Sequence, residues 1–184
     1  MINSKKFSDS IGNNSHGLIL LLETSADQSF ETSLASVQFL SKKNDSGIII
    51  SASRPYSNLM KIYNDKKIDT NKIFIIDLIS KSQDAAVEAD NVKYLDNVSA
   101  LTHISLAISD YIKALPGKKF IFIDSITTML IHNEPYVFTR FIHSILTRMR
   151  INGVEGLLIS LTDRTNQDVR AEIAQLCDKV VKIS

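Results

Sequence analysis

The sequence has one cysteine, almost no net charge and no long apolar run, and each shortage excludes a class of protein. Cys177 alone can form neither an internal disulfide nor a cysteine-cluster metal site, and a chain without disulfides suits a reducing cytoplasm. The 21 Lys and Arg residues against 20 Asp and Glu leave a formal charge of +1, so there is no global pull toward nucleic acid or anionic lipid. The longest apolar runs, "LILLL" (Leu18 to Leu22) and "FIFI" (Phe120 to Ile123), fall well short of the roughly 20 residues that span a bilayer. The opening "MINSKKFSDSIGNNSHG" has two lysines with no apolar segment after them, so it is not expected to act as a secretory signal. Its Ser and Asn content reads as a flexible polar tail over residues 1–16, leaving 17–184 as a single domain. His16, His103, His132 and His143 lack the spacing of a metal site, so no metal is expected.

What is present is a regular alternation. The runs at Leu18 to Leu22, Gly47 to Ala52, Ile73 to Leu78, Phe120 to Ile123 and Gly156 to Ser160 are aliphatic throughout. Strands buried on both faces, as in a parallel sheet covered by helices, have this composition. "KVVKI" (Lys179 to Ile183) predicts a last strand and "VKYL" near Val92 a short one. Between them, Phe30, Leu34, Val37 and Leu40 line one helical face, as do Leu101, Ile104, Ile108, Ile112 and Leu115 before the stop signal Pro116-Gly117. Phe138, Phe141, Ile142, Ile145 and Met149 predict the strongest helix, ended by Gly153. Val169, Ile173 and Leu176 predict another, with Asp163 or Thr165 as its cap. Strands alternating with helices in this order predict an α/β fold: three α/β/α layers around a mostly parallel sheet.

Ligands of such folds bind beyond the carboxyl ends of the strands. The first strand there leads into "ETSADQSFETS", which has the layout of a phosphate-binding loop but not its residues. That loop needs G-x-x-x-x-G-K-[ST], with glycines to let N–H groups curl round phosphate, a lysine for charge and a hydroxyl for Mg²⁺. In the frame Ala26 to Ser33, Ala26 and Glu31 replace the glycines, Thr32 replaces the lysine, and only Ser33 fits. Glu31 would place a carboxylate against phosphate, at about 4 kcal/mol per contact at roughly 4 Å and an effective dielectric near 20. A helix N-terminus returns only about 0.3–1 kcal/mol. The bland alternative is an ordinary strand-to-helix turn capped by Ser25, Asp27 or Ser29.

A second landmark, Asp124 in "KKFIFIDSITTMLI", ends an apolar strand two or three strand–helix units later, where a phosphate-loop ATPase carries its Mg²⁺-organising acid. Asp77, late in "IFIIDLIS", reads either as a further site carboxylate or as a turn cap. Arg54-Pro55-Tyr56 follows a strand on the ligand side and combines a stiff turn with residue types suited to recognition, making Arg54 and Tyr56 partner-binding candidates. Arg140, Arg148 and Arg150 beside the strongest apolar stripe read as a solvated helix face.

With these segments in view, the chain from about Gly17 to Ile183 resembles the KaiC-like branch of the RecA superfamily of phosphate-loop ATPases. "LASVQFL" (Leu34 to Leu40) is similar to the family's first helix, "IDSITTML" (Ile123 to Leu130) to its segment after the second motif, and "FTRFIHSILTRMRINGVEGLLIS" to the helix and strand that follow. "SASRPYSNL" stands where active members carry two glutamates that activate water; here those positions are Ser53 and Arg54. In this the chain resembles divergent archaeal KaiC-like proteins with a degenerate phosphate loop. The resemblance implies a RecA-like sheet in which Ser33 and Asp124 are vestigial nucleotide positions, with no catalytic residue and no cofactor. It implies a regulatory or signalling module whose partner is a protein, either an active relative or a second copy. The competing expectation is an ATPase with a rebuilt loop, in which Ser33 and Asp124 hold Mg²⁺ for ATP and Lys42, Lys43 or Arg54 supplies the missing charge. A third, an accessory protein of DNA recombination, is disfavoured by the lack of a basic, aromatic-interleaved stretch.

Overall fold

A computed structural model describes residues 4–12, 17–162 and 166–183. Seven strands, β1 (Ile19–Thr24), β2 (Ser46–Ser51), β3 (Ile73–Asp77), β4 (Val92–Tyr94), β5 (Lys119–Asp124), β6 (Glu155–Leu161) and β7 (Lys179–Lys182), form one sheet. Every pairing is parallel, and the order across the sheet is β4-β3-β2-β5-β6-β1-β7. The aliphatic runs form the centre of this sheet because both faces are covered. Ile48, Ile50, Ile121 and Ile123 point into one apolar layer, while Ile49, Ile75, Phe120 and Phe122 point into the other.

Helices α4 (Leu101–Ala114), α5 (Ile126–Ile131), α6 (Pro135–Ile151) and α7 (Gln167–Leu176) cover the first layer; α1 (Ser4–Ile11), α2 (Ser29–Lys43) and α3 (Tyr56–Asp65) cover the second. The predicted stripes on α4, α6 and α7, and Leu34, Val37 and Leu40 of the stripe on α2, are the buried faces of those helices; Phe30, expected to open the α2 stripe, is only half-buried, with Arg54 across its ring. Gly153 (φ +62°) and Gly117 (φ +66°) follow α6 and α4 in the left-handed conformation that ends a helix without a side-chain penalty. Asp163 and Thr165, expected to cap α7, lie outside the described residues; Asn166 accepts the N–H groups of Asp168 and Val169 instead.

Three helices lie outside the sequence expectations. Part of the segment read as a polar tail forms α1, because Phe7 and Ile11, four residues apart, bury themselves against α2, with Phe7 edge-on to Phe39 at 6.2 Å. Lys179 Nζ donates to the carbonyls of Ser10 and Ile11 and so ties α1 to the start of β7. The other two, α3 and α5, directly follow β2 and β5 and frame the strand exits.

Candidate functional site

Because all strands run the same way, their exits form one polar row. Register places Asp77, Ser51 and Asp124 side by side on β3, β2 and β5, and Glu23 beside Ser160 and Lys182 on β1, β6 and β7. The two positions read as a nucleotide pair meet here: Ser33 Oγ donates to Asp124 Oδ2 at 2.7 Å. Asp124 is half-buried, and burial pushes its carboxyl above the ordinary range; the Ser33 hydroxyl and, less strongly, the Arg54 guanidinium pull it back. The Asp124–Ser125 peptide bond is cis, and the Ser125 hydroxyl caps α5 by accepting from the Thr128 N–H.

The turn after β1 is short. The Gln28 N–H closes it onto the Ser25 carbonyl at 3.2 Å, and Ser29 Oγ donates to the Ala26 carbonyl at 2.8 Å. The pKa of the exposed Asp27 is lowered, first by the nearby Ser25 hydroxyl and then by the backbone N–H groups of the turn. Helix α2 is thus under way by Ser29, and the Thr32 N–H is already committed to the Gln28 carbonyl at 2.9 Å. The Thr32 side chain, in the frame position of the phosphate-loop lysine, turns inward and is buried with its hydroxyl 3.1 Å from that of Thr24.

Arg54 is held over this turn. Ser51 Oγ donates to the Arg54 carbonyl at 2.6 Å, which folds the turn after β2 and sends the guanidinium across the Phe30 ring, 4.6 Å from its centroid. Under this stack lies a hollow of about 80 Å³ bounded by Ser29, Phe30, Ser53, Arg54, Asp124, Ser125, Thr128 and Leu161. Pockets for drug-sized ligands run to roughly 300–1,000 Å³. As it stands the hollow is several times too small for a nucleotide.

Other expected residues fall elsewhere. Tyr56 is a core residue rather than a recognition group: it is buried, edge-on to Tyr94 at 6.3 Å, with its hydroxyl donating to Asn91 Oδ1 at 2.5 Å. It opens α3, whose buried positions Tyr56, Leu59 and Tyr63 repeat every three and four residues, so its ring must point at the sheet. Lys42 and Lys43 sit at the far end of α2, away from the strand exits; Lys43 lies over Phe39 and 4.0 Å from Glu155. Asp77 is the turn cap, accepting from the N–H groups of Tyr56, Ile79 and Ser80 and from the Ser80 hydroxyl. Arg148 and Arg150 do not form a free solvated face: Arg148 binds α4, and Arg150 donates to the Leu176 carbonyl and Asp178. Sequence reasoning missed Phe30 as the platform for Arg54, and missed the ion pair of the buried Glu23 with Arg170 on α7 at 3.4 Å. Neither carries a local signal, because each joins residues far apart in sequence.

A family model matches residues 19–183, essentially the whole sheet and its helices. The chain belongs to DUF7504, a family of unknown function. No curated protein is significantly similar to this DUF7504 chain in sequence. Its fold recurs in solved structures at low identity. It is similar to the uncharacterized protein PH0321 of Pyrococcus horikoshii, solved in complex with an unknown peptide: 15% identity, TM-score 0.72, covering 97% of this chain and 82% of that one. The KaiC-like protein PH0186 of the same organism matches at 14% identity and TM-score 0.64, over 92% and 74% of the two chains. The flagellar accessory protein FlaH of Methanocaldococcus jannaschii matches at 13% identity and TM-score 0.60, over 99% and 78%. The DUF7504 chain therefore has the RecA/KaiC-like three-layer fold. Among its described residues no helix is long and apolar enough to cross a membrane.

Proposed function

We propose that this DUF7504 chain is a RecA/KaiC-like domain with a degenerate phosphate loop, which no longer hydrolyses ATP and acts in the cytoplasm as a regulatory module that binds another protein. The observation that carries the proposal is the small hollow under the Arg54–Phe30 stack. A phosphate cradle needs free N–H groups on a glycine-built curve. Here the turn spends the Gln28 N–H on the Ser25 carbonyl and that of Thr32 on α2, and Glu31 adds negative charge in the first helical turn. Supporting the protein-binding part, a neighbour in fold, PH0321, was solved with a peptide bound. Titration calorimetry with MgATP and MgADP tests the proposal: no binding tighter than about 10 μM, roughly −7 kcal/mol, is expected, and tighter binding overturns it.

One observation favours a second reading, an ATPase with a rebuilt loop. Ser33 and Asp124 remain in contact, and Arg54 is a cation beside them. In that case Phe30 and Arg54 must swing apart to admit phosphate, and Asp124 must be charged to serve Mg²⁺. The response of Asp124 to Mg²⁺, read beside its pH behaviour, separates the two. Its folded pKa lies above the unfolded one, so the folded state holds the proton more tightly, and stability falls as pH rises from about 4 through the folded value. Under the non-catalytic reading, Asp124→Asn melts at or above the wild-type temperature at pH 7 and loses that part of the pH dependence. A wild type stabilised by millimolar Mg²⁺, with Asp124→Asn unresponsive, supports the ATPase instead.

A further inference from the structure

The face of the molecule formed by the first halves of α4 and α6, outside the first apolar layer, carries a groove with no role in the site above. It is a hollow of about 380 Å³ lined by Leu101, Thr102, Ser105 and Leu106 of α4 and by Val137, Arg140, Phe141 and Ser144 of α6. Its apolar rim is open to solvent: Leu106 is 56% and Val137 52% exposed, and Tyr136, next to Val137 in the chain and stacked with Arg140, is 67% exposed. Large apolar groups exposed together at one groove mark a protein interface more often than scattered single ones do. The groove is also pre-formed. Arg148 of α6 donates to the Ser105 carbonyl and to the hydroxyls of Ser105 and Ser109, clamping the two helices together. Ser99 Oγ donates to the His132 carbonyl and Asn133 Nδ2 to that of Val98, fixing its upper end.

We infer that the groove is the dimer interface of this chain, helix α4 of each copy lying antiparallel in the α4–α6 groove of the other. This rests on the reading of the chain as a protein-binding module and makes the first partner a second copy. Two features select that occupant. The lining holds a single charge, Arg140, and no carboxylate, so the occupant must bring an apolar ridge with an acid near it. Helix α4 brings one exposed large apolar group and one acid: Leu106 is followed one turn later by Asp110, exposed and only loosely paired with Lys93 at 4.0 Å. In a twofold contact residue i meets j and j meets i. With Leu106 on the axis, four residues, or about 6 Å along the helix, separate it from Asp110 on one side and Thr102 on the other. Asp110 of each copy then stands opposite Thr102, which shares the hollow with Arg140, and Leu106 fills the gap between Val137 and Phe141. Two apolar contacts and two equivalent Arg–Asp pairs result, with an exposed aromatic, Tyr136, under each guanidinium at 5.7 Å.

Sedimentation equilibrium of the full chain tests this. A dimer is expected to dissociate below about 100 μM. Leu106→Glu, Arg140→Asp and Asp110→Arg are each expected to weaken it about tenfold or more, and the double exchange Arg140→Asp/Asp110→Arg to recover most of that loss. Circular dichroism melts confirm that these surface variants fold. A chain monomeric at about 100 μM, an open-ended assembly, or a dimer untouched by all three variants overturns the inference. Because the measurement involves no nucleotide, failure here leaves the loss-of-ATPase reading standing, and tight MgATP binding would end that reading whatever the oligomeric state.

Discussion

Asp77→Ala is expected to lower unfolding stability by about 4 kcal/mol in urea melts, a large part of the roughly 5–15 kcal/mol that holds a domain together. The wild-type carboxylate is fully buried at the exit of β3 and accepts four hydrogen bonds. Oδ2 takes the Tyr56 N–H and the Ser80 hydroxyl, both at 2.6 Å; Oδ1 takes the N–H groups of Ile79 and Ser80, both at 2.8 Å. Bonds to an ionised acceptor are worth about 1.5–3 kcal/mol each, though not additively. Three of the donors are backbone groups that cannot turn elsewhere, so alanine leaves them dry and unpaired. Asp77→Asn keeps one acceptor oxygen and should cost about half as much. The damage should also be directional. Tyr56 N opens α3 two residues after Arg54, so faster amide exchange in the first turn of α3 should accompany a loosened Arg54–Phe30 stack. A change within about 0.5 kcal/mol would show that the buried carboxylate contributes nothing net.

Gly47→Ala should cost about 3 kcal/mol, opposite in sign to the usual gain from replacing glycine. Gly47 lies on the central strand β2 in register with Phe120 of β5, and a Cβ there would fall 2.0 Å from Cζ of that ring. Phe120 is itself fully buried among aliphatic neighbours and has nowhere to retreat. Gly156→Ala is the control: its nearest obstacle is the flexible end of Met149 at 2.5 Å, so about 1 kcal/mol is expected. Phe120→Leu made together with Gly47→Ala should recover more than about 1 kcal/mol of coupling in a double-mutant cycle. Strict additivity would place the cost in the strand backbone rather than in the ring.

The fold was legible in the sequence to the extent that burial is periodic. The aliphatic runs predict buried parallel strands, and the helical stripes predict the faces of α2, α4, α6 and α7, because both patterns follow from geometry within one element. The misreadings share one cause. Tyr56 suits recognition by residue type, but the helical period that it opens rotates it into the core. Phe7 and Ile11 are hidden in a polar segment, and only α2 beside them gives them a surface to bury against. Lys42 and Lys43 are close in sequence to the turn at Ala26 to Ser33, yet a helix of 15 residues carries them about 20 Å away.

By itself the sequence determined a layered α/β domain whose first turn lacks the glycines and lysine of a phosphate cradle, since composition and period are properties of the chain alone. Tertiary structure decided the rest: that Ser33 meets Asp124, that Asp77 anchors α3, and that Arg54 stacks on Phe30 above a hollow of about 80 Å³. Such contacts depend on the order of strands across the sheet and on the rotation of each helix against it. Both are set by how two apolar layers pack together, and spacing along the chain records neither.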